Sequence, residues 1–449
     1  MLIISNLKLF REKLIAFIIT IYILSFFFEN YFKFQFQFLR FSIVEIIYIF
    51  LIFLTILIYK SNFIKFIFKF DKKNFFELII YSILVLKSIK YIINFQNYYN
   101  LYELIIWMYM ISIYLTFKFY LLNNRNFIYW IESSFIAVSL IISLHIIYSY
   151  IIYKLGYESS TLWAIRDTTY YPYFGTTLIN FKSLLFNSNH AAYLIAPGLL
   201  LLFARFKNKF SLVMLFIFFL IVFYLVKSKF LINFFSILII FAVLKNLNLK
   251  NIRFNKFLLL ISIIGLAIFY FLITHFIVIE KGILDLSNFD LFKQYYYTDF
   301  SMTLNNYDIY GSLFLKLKFT AIEIAKNYNY IFFDTNNFYN HEIVLKNFNS
   351  YHDPHSDYFG ALANYGILGF LILVILPIYT IIEYMKNFNQ KELEKTNFLY
   401  FMIIVMFFIQ STVTDFLHYQ FIWVIFAIYE FNRNIKKKDN IDHKYKLKY

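Results

Sequence analysis

The stretch Tyr351–Tyr384, YHDPHSDYFGALANYGILGFLILVILPIYTIIEY, decides the fold. From Ile367 onward it is apolar over a length that can cross the hydrocarbon core of a bilayer as a helix. Its first half sets two histidines, His352 and His355, at the mouth of that run. Asp353 suits a helix N-cap and Pro354 the first helical position, which predicts a short helix with His355 in its first turn, ending near Gly366. A helix N-terminus carries partial positive charge, which disfavours imidazolium and keeps His355 neutral and basic near pH 7.

The same apolar character extends over the chain. Of its 449 residues 61% are hydrophobic, too many for a soluble protein of this size. Windows able to span a bilayer fall at about 14–29, 41–59, 75–94, 101–121, 127–153, 189–204, 210–226, 229–245, 257–279, 366–384, 397–412 and 416–431. The expected fold is therefore an all-α polytopic membrane protein, one integral-membrane domain over 1–449 with about twelve transmembrane helices. A large extracytoplasmic loop is expected between helices 9 and 10.

Lysine and arginine set the expected orientation. One set of alternate loops carries Lys60, Lys65 and Lys69, then Arg205 and Lys209, then Lys250 and Arg253. The opposite short loops offer Lys33, Arg40, Lys227 and Lys229. Both termini are thus expected in the cytoplasm, with 432–449 as a basic tail. Residues 154–188 and 280–356 form outward loops, the longer with helical periodicity between Gly311 and Tyr328. The net charge of +16 suits anionic lipid head groups. It lies in short juxtamembrane stretches, so nucleic acid is not an expected partner. The first apolar run has no small-residue cleavage site after it and is read as a retained helix. With no cysteine, thiol chemistry and disulfides are excluded.

His355 is the leading candidate for a general base, since neutral imidazole suits proton abstraction at this pH. The competing reading is a capped interfacial helix that happens to hold a histidine. His352 either touches substrate or orients the turn. The spacing of His352, Asp353, His355 and Asp357 differs from that of a two-histidine zinc helix, so neither a metal nor any other cofactor is expected. Intramembrane Glu45, Lys87, Lys90 and Glu132 are functional suspects by position, with interhelical ion pairs as the plainer account. Asp415 and His418 lie at the outer end of the last helix, in a register the sequence leaves open.

The histidine segment resembles the O-antigen ligase and O-antigen polymerase superfamily. There the last large extracytoplasmic loop closes on a histidine, then Asn or Ser, a leucine-like position, an acidic residue, an aromatic and a Gly-Ile/Leu-x-Gly step into the membrane. His355, Ser356, Phe359, Asn364, Tyr365, Gly366, Ile367 and Gly369 fill those places, with Asn364 at the acidic position. The resemblance covers roughly residues 180–430. It implies basic residues that pair a donor pyrophosphate, for which the chain offers Lys182 before Asn187-Ser188-Asn189, Lys229 after Ser228, and Lys316 and Lys318 early in the large loop. Each is Lys where the family has Arg. Arg166 is a further outward arginine able to grip phosphate as a fork.

The resemblance further implies an inverting, metal-independent glycan transfer from undecaprenyl pyrophosphate to a lipid A core or other glycan acceptor, outside the bacterial inner membrane. His355 and His352 would be catalytic, with Asn189, Ser356, Asn364 and Gly366 in support. Ligation and polymerisation both fit. A twelve-helix transporter or lipid-oligosaccharide flippase is the rival from another class, marked by paired repeats and broken helices around a midplane site.

Overall fold

The computed structural model describes residues 2–29, 33–36, 39–69, 74–156, 166–171, 176–185, 188–205, 209–228, 230, 233–237, 239–240, 252–280, 301–330, 338–348, 350, 352–387 and 396–446. The first half is built on helices α1 (Leu2–Ser25), α2 (Ile43–Tyr59), α3 (Ser61–Ile67), α4 (Phe75–Ile93), α5 (Tyr98–Asn123) and α6 (Phe127–Lys154). Then come α7 (Ser188–Arg205), α8 (Lys209–Val226), α9 (Ile252–His275), α10 (Leu313–Asn327) and α11 (Glu342–Phe348). The chain closes with α12 (Asp357–Asn387), α13 (Thr396–Gln410) and α14 (Gln420–Lys446).

Local chemistry fixes several helix starts. Ser42 and Glu45 form a reciprocal capping box on α2. Asn74 accepts from Phe76 N at 3.2 Å to cap α4, and Asn97 accepts from Tyr99 N at 3.0 Å to cap α5. Each cap satisfies a backbone donor that the first helical turn leaves without a partner.

The protein is an α-helical membrane protein. Four helices among the described residues are long and apolar enough to cross a bilayer: Tyr98–Asn123, Phe127–Lys154, Lys256–His275 and Asp357–Lys386. A fifth is available if Ile43–Tyr59 and Ser61–Ile67, bent by 119°, count as one span. Shorter apolar helices cover Asn189–Phe203, Val213–Val226 and Phe398–Gln410. On α9, Ile261, Ile264 and Ile268 form an exposed apolar stripe at helical spacing, a surface suited to lipid. In the interior, Trp107 and Trp423 meet edge to face at 5.1 Å.

The fold is all-α in its architecture, as expected, and among the described residues three small antiparallel sheets decorate the bundle. They are β1 (Lys33–Phe36) with β2 (Leu39–Ser42), β3 (Arg166–Tyr171) with β4 (Thr176–Phe181), and a sheet in which β7 (Tyr307–Gly311) lies between β5 (Phe276–Glu280) and β6 (Ser301–Leu304). The last sheet continues α9 directly. Ser312 then bonds back to His275 O and Thr274 O at 2.7 and 2.8 Å, which fixes where α10 begins.

The helices alternate in direction, so residues distant in sequence gather at one end of the bundle. Tyr22 near the end of α1 donates to Gln420 at the start of α14, which in turn donates to Glu45 at the start of α2. Lys87, late in α4, meets Glu103, early in α5. The opposite end holds a separate set of ion pairs, including Lys118 with Glu77, Arg205 with Glu132, and Arg433 with Glu383 and Glu430.

Candidate functional site

His355 does not lie in a first helical turn, so that expectation is corrected. Residues 352–356 are non-helical and α12 starts at Asp357, with Ser356 as its cap. Ser356 O accepts from Gly360 N at 2.8 Å and Ser356 Oγ from Phe359 N at 3.4 Å. Both Asp353-Pro354 and Ser356-Asp357 are good local starts, and long-range bonds select the second. Ser356 N donates to Asp415 at 3.0 Å, and Ser356 Oγ to Ser411 O at 2.9 Å. In return Asp357 accepts from Phe416 N at 2.8 Å and from Leu417 N at 3.2 Å. The loop before α12 and the turn between α13 and α14 are thereby clasped together.

His355 itself has φ of 46°. That left-handed conformation is uncommon for a residue with a side chain and persists only where its surroundings impose it. Here Lys318 of α10 imposes it. Its Nζ donates to His355 O at 2.8 Å and to Pro354 O at 3.4 Å, from a site only 2% exposed. Phe314, one turn earlier on α10, meets the His355 ring edge to face at 5.9 Å. Burial, then the Lys318 charge, lowers the His355 ring to about 4, so it is neutral at pH 7. Burial also lowers Lys318 to about 7, against the pull of Asp415 and Asp357. The neutrality expected of His355 holds, but its main cause is burial and not a helix terminus.

Lys316 lies on the same helix. It donates to Asn347 O at 2.8 Å and sits 4.8 Å above the ring of Phe348, whose other neighbour is His352 at 4.8 Å. His352 is lowered from its ordinary value, first by burial. Lys316, Lys318, His352, His355 and Ser356 therefore form one group. Of the two lysines, Lys318 is buried against backbone carbonyls and holds the turn, a different task from gripping a ligand.

The remaining candidates divide. Lys182 ends the β3–β4 hairpin, half-buried, beside Ser183. Asn189 accepts from Ser228 Oγ at 2.5 Å, and His190 next to it is 3.3 Å from Glu29 and packs at a tilt against Tyr419 with ring centroids 4.7 Å apart. Arg166 opens β3 opposite Phe181, and its side chain is outside the described residues. Lys229 lies outside the described residues altogether.

Asn364 and Gly366 mark a break in α12. Gly366 takes φ 65° and ψ −163°, a conformation essentially confined to glycine. The freed Ile367 N donates to Tyr330 O at 2.7 Å, while Lys90 reaches Asn364 O at 3.3 Å. The ammonium thus faces the negative end of the short helix 357–365. Asn364 Oδ1 also accepts from Phe338 N at 2.8 Å, which suits an amide where the resemblance has a carboxylate.

Beside this break a mostly apolar cavity of about 110 Å³, with several charged groups in its wall, opens between α4, α5, α12 and the 411–418 turn. Glu103 is central, paired with Lys87 at 2.5 Å and with His418 at 3.5 Å. Asp415 also lines the cavity, and burial followed by the Asp357 charge raises its carboxyl. Lys87 and Lys90 both lie 5.3 Å from the Tyr365 ring. The ion-pair account of Lys87 holds, as it does for Glu132 with Arg205 at 2.8 Å. The sequence reading missed Glu103, although a lone acid at the edge of an apolar window was a usable signal.

Among the described residues no three His, Asp or Glu side chains converge as a metal site. Comparison with family models, with curated proteins and with solved structures yields no match to this chain.

Proposed function

We propose that this chain is a lipid-linked-glycan transferase of the O-antigen ligase type. It would move a glycan from undecaprenyl pyrophosphate to a lipid A core or similar acceptor at the outer face of the bacterial inner membrane. The observation that carries the reading is His355, neutral and half-buried where a broken apolar helix begins, with a strained backbone that Lys318 holds in place.

In the reaction, the imidazole of His355 takes the proton of an acceptor hydroxyl as its oxygen attacks the anomeric carbon of the donor sugar. The bond from that carbon to the carrier pyrophosphate breaks on the opposite face, and the pyrophosphate leaves with the electron pair. Cations stabilise the charge that develops there. Lys316, which shares the Phe348 ring with His352, is offered for that task, with Lys182, Lys229 and Arg166 supplied by other outward segments. The twelve-span topology, cytoplasmic termini and outward loops at 154–188 and 280–356 belong to the same proposal.

His355→Ala is expected to abolish glycan transfer while leaving membrane insertion intact. Near-normal surface glycan in cells carrying this variant would overturn the reading. Lys229→Ala is expected to weaken donor use more than Lys229→Arg; equal behaviour would remove Lys229 from the donor site. The broken helix at Gly366 favours a second reading, a transporter with its substrate at the break. That reading requires normal lipid-linked glycan flux in the His355→Ala variant.

A further inference from the structure

The cavity around Glu103 lies outside the chemistry proposed for His355. Pro354 and Ser356 line it, but His355 between them does not, because its left-handed backbone turns the residue away. Packed protein interiors leave few voids larger than a water, and one water needs roughly 10–15 Å³ of such space. At about 110 Å³ the cavity has room for more than one solvent molecule.

Its walls carry groups of both signs, so a ligand of one charge meets like charge on part of the lining. An anion meets Asp353, Asp357 and Asp415, and the Lys87 and His418 cations are already paired with Glu103. A cation meets Lys87 and His418 across the same space. A neutral polyol can use both kinds of wall, since carboxyl groups accept from hydroxyls and the Lys87 ammonium carries three donors, of which Glu103 takes one. Tyr99 and Tyr339 stack at 5.4 Å and 28°, and both border the cavity, as does Trp107. Such rings offer flat apolar faces to the C–H side of a sugar.

We infer that the cavity between Glu103, His418 and the Tyr99–Tyr339 pair is a holding site for one uncharged sugar ring. This inference rests on the transfer reading only for the origin of that ring, which would belong to a glycan at a position removed from the reacting carbon. His355 acts on one side of the 354–356 turn while the holding site grips on the other. Extending the contact with the glycan would favour long chains over single sugars.

The test is saturation-transfer NMR on the purified full-length chain in nanodiscs, with free galactose, rhamnose and N-acetylglucosamine as probes and with pyrophosphate and choline as competitors. At least one sugar is expected to receive saturation and to resist both competitors. Tyr339→Ala and Glu103→Gln are each expected to weaken that sugar by about five-fold, the effect of losing roughly one hydrogen bond or ring contact. Gly265→Val, on α9 and away from the cavity, is expected to leave it unchanged. Tyr99→Ala, on the exposed rim, gives the same readout should Glu103→Gln fail to fold. No transfer to any sugar, displacement by pyrophosphate or choline, or indifference to all three cavity variants would overturn the inference. Because no reaction is followed, these outcomes are independent of whether His355→Ala abolishes glycan transfer.

Discussion

Asp357 and Asp415 exchange caps across two loops: Asp415 accepts Ser356 N at the start of α12, while Asp357 accepts Phe416 N and Leu417 N in the turn before α14. Two acids, Asp357 buried and Asp415 half-buried, would repel as bare charges and are each held by backbone donors. The exchange fixes the position of the 352–356 turn, and with it His355.

The clasp yields a stability prediction. Asp357→Ala leaves two buried N–H groups without a partner, which costs about 1–3 kcal/mol. The double variant with Asp415→Ala is expected to lose less than the sum of the single losses, since both belong to one network. Thermal unfolding of all three variants in nanodiscs measures this, and strict additivity would show that the two caps act independently.

A second prediction concerns pH. The folded value of His355, about 4, lies below its ordinary 6.5, so the base is available above about pH 4 and is lost below it. The acid limb of the transfer rate is expected near pH 4. Lys318→Met removes a positive charge facing the ring and is expected to move that limb upward, part of the way to 6.5, because burial remains. Lys318→Arg is expected to leave it low. By linkage, the stability that depends on a neutral His355 is complete above about pH 6.5 and declines as pH falls toward 4. An acid limb unmoved by Lys318→Met would remove Lys318 from the control of His355.

Gly366 supplies a third prediction. Any side chain there is strained by about 1–3 kcal/mol, because φ 65° with ψ −163° is open essentially to glycine alone. Gly366→Ala is expected to lower the unfolding temperature and to expose the 338–356 segment to protease, since a straighter α12 would pull Ile367 N from Tyr330 O. Unchanged proteolysis would mean that the break survives without glycine.

A fourth prediction addresses helix packing. A Cβ on Gly198 of α7 would run into Ser139 Oγ and Phe135 O of α6. Small residues permit such close helix approach in membranes. Gly198→Val is expected to destabilise by about 1–3 kcal/mol through overpacking, whereas Gly265→Val, where nothing lies within 4 Å, is expected to be nearly neutral. Equal melting of the two variants would count against a tight α6–α7 crossing.

The sequence alone determined that this is a membrane protein built of apolar helices, because hydropathy and its length are local properties of consecutive residues. It also marked His355 as a histidine at the mouth of such a helix and Gly366 as the end of a short helical segment. The start of that segment was not decided locally. Two acceptable caps stood three residues apart, and only the bonds from Ser356 to Asp415 and Ser411 chose between them. The tasks of the charged residues were decided the same way. Whether Lys318 grips a ligand or holds a carbonyl, and whether Glu103 meets Lys87 and His418, depends on which helices are neighbours. Side-chain pairing between residues far apart along the chain leaves no periodic trace, so tertiary structure had to supply it.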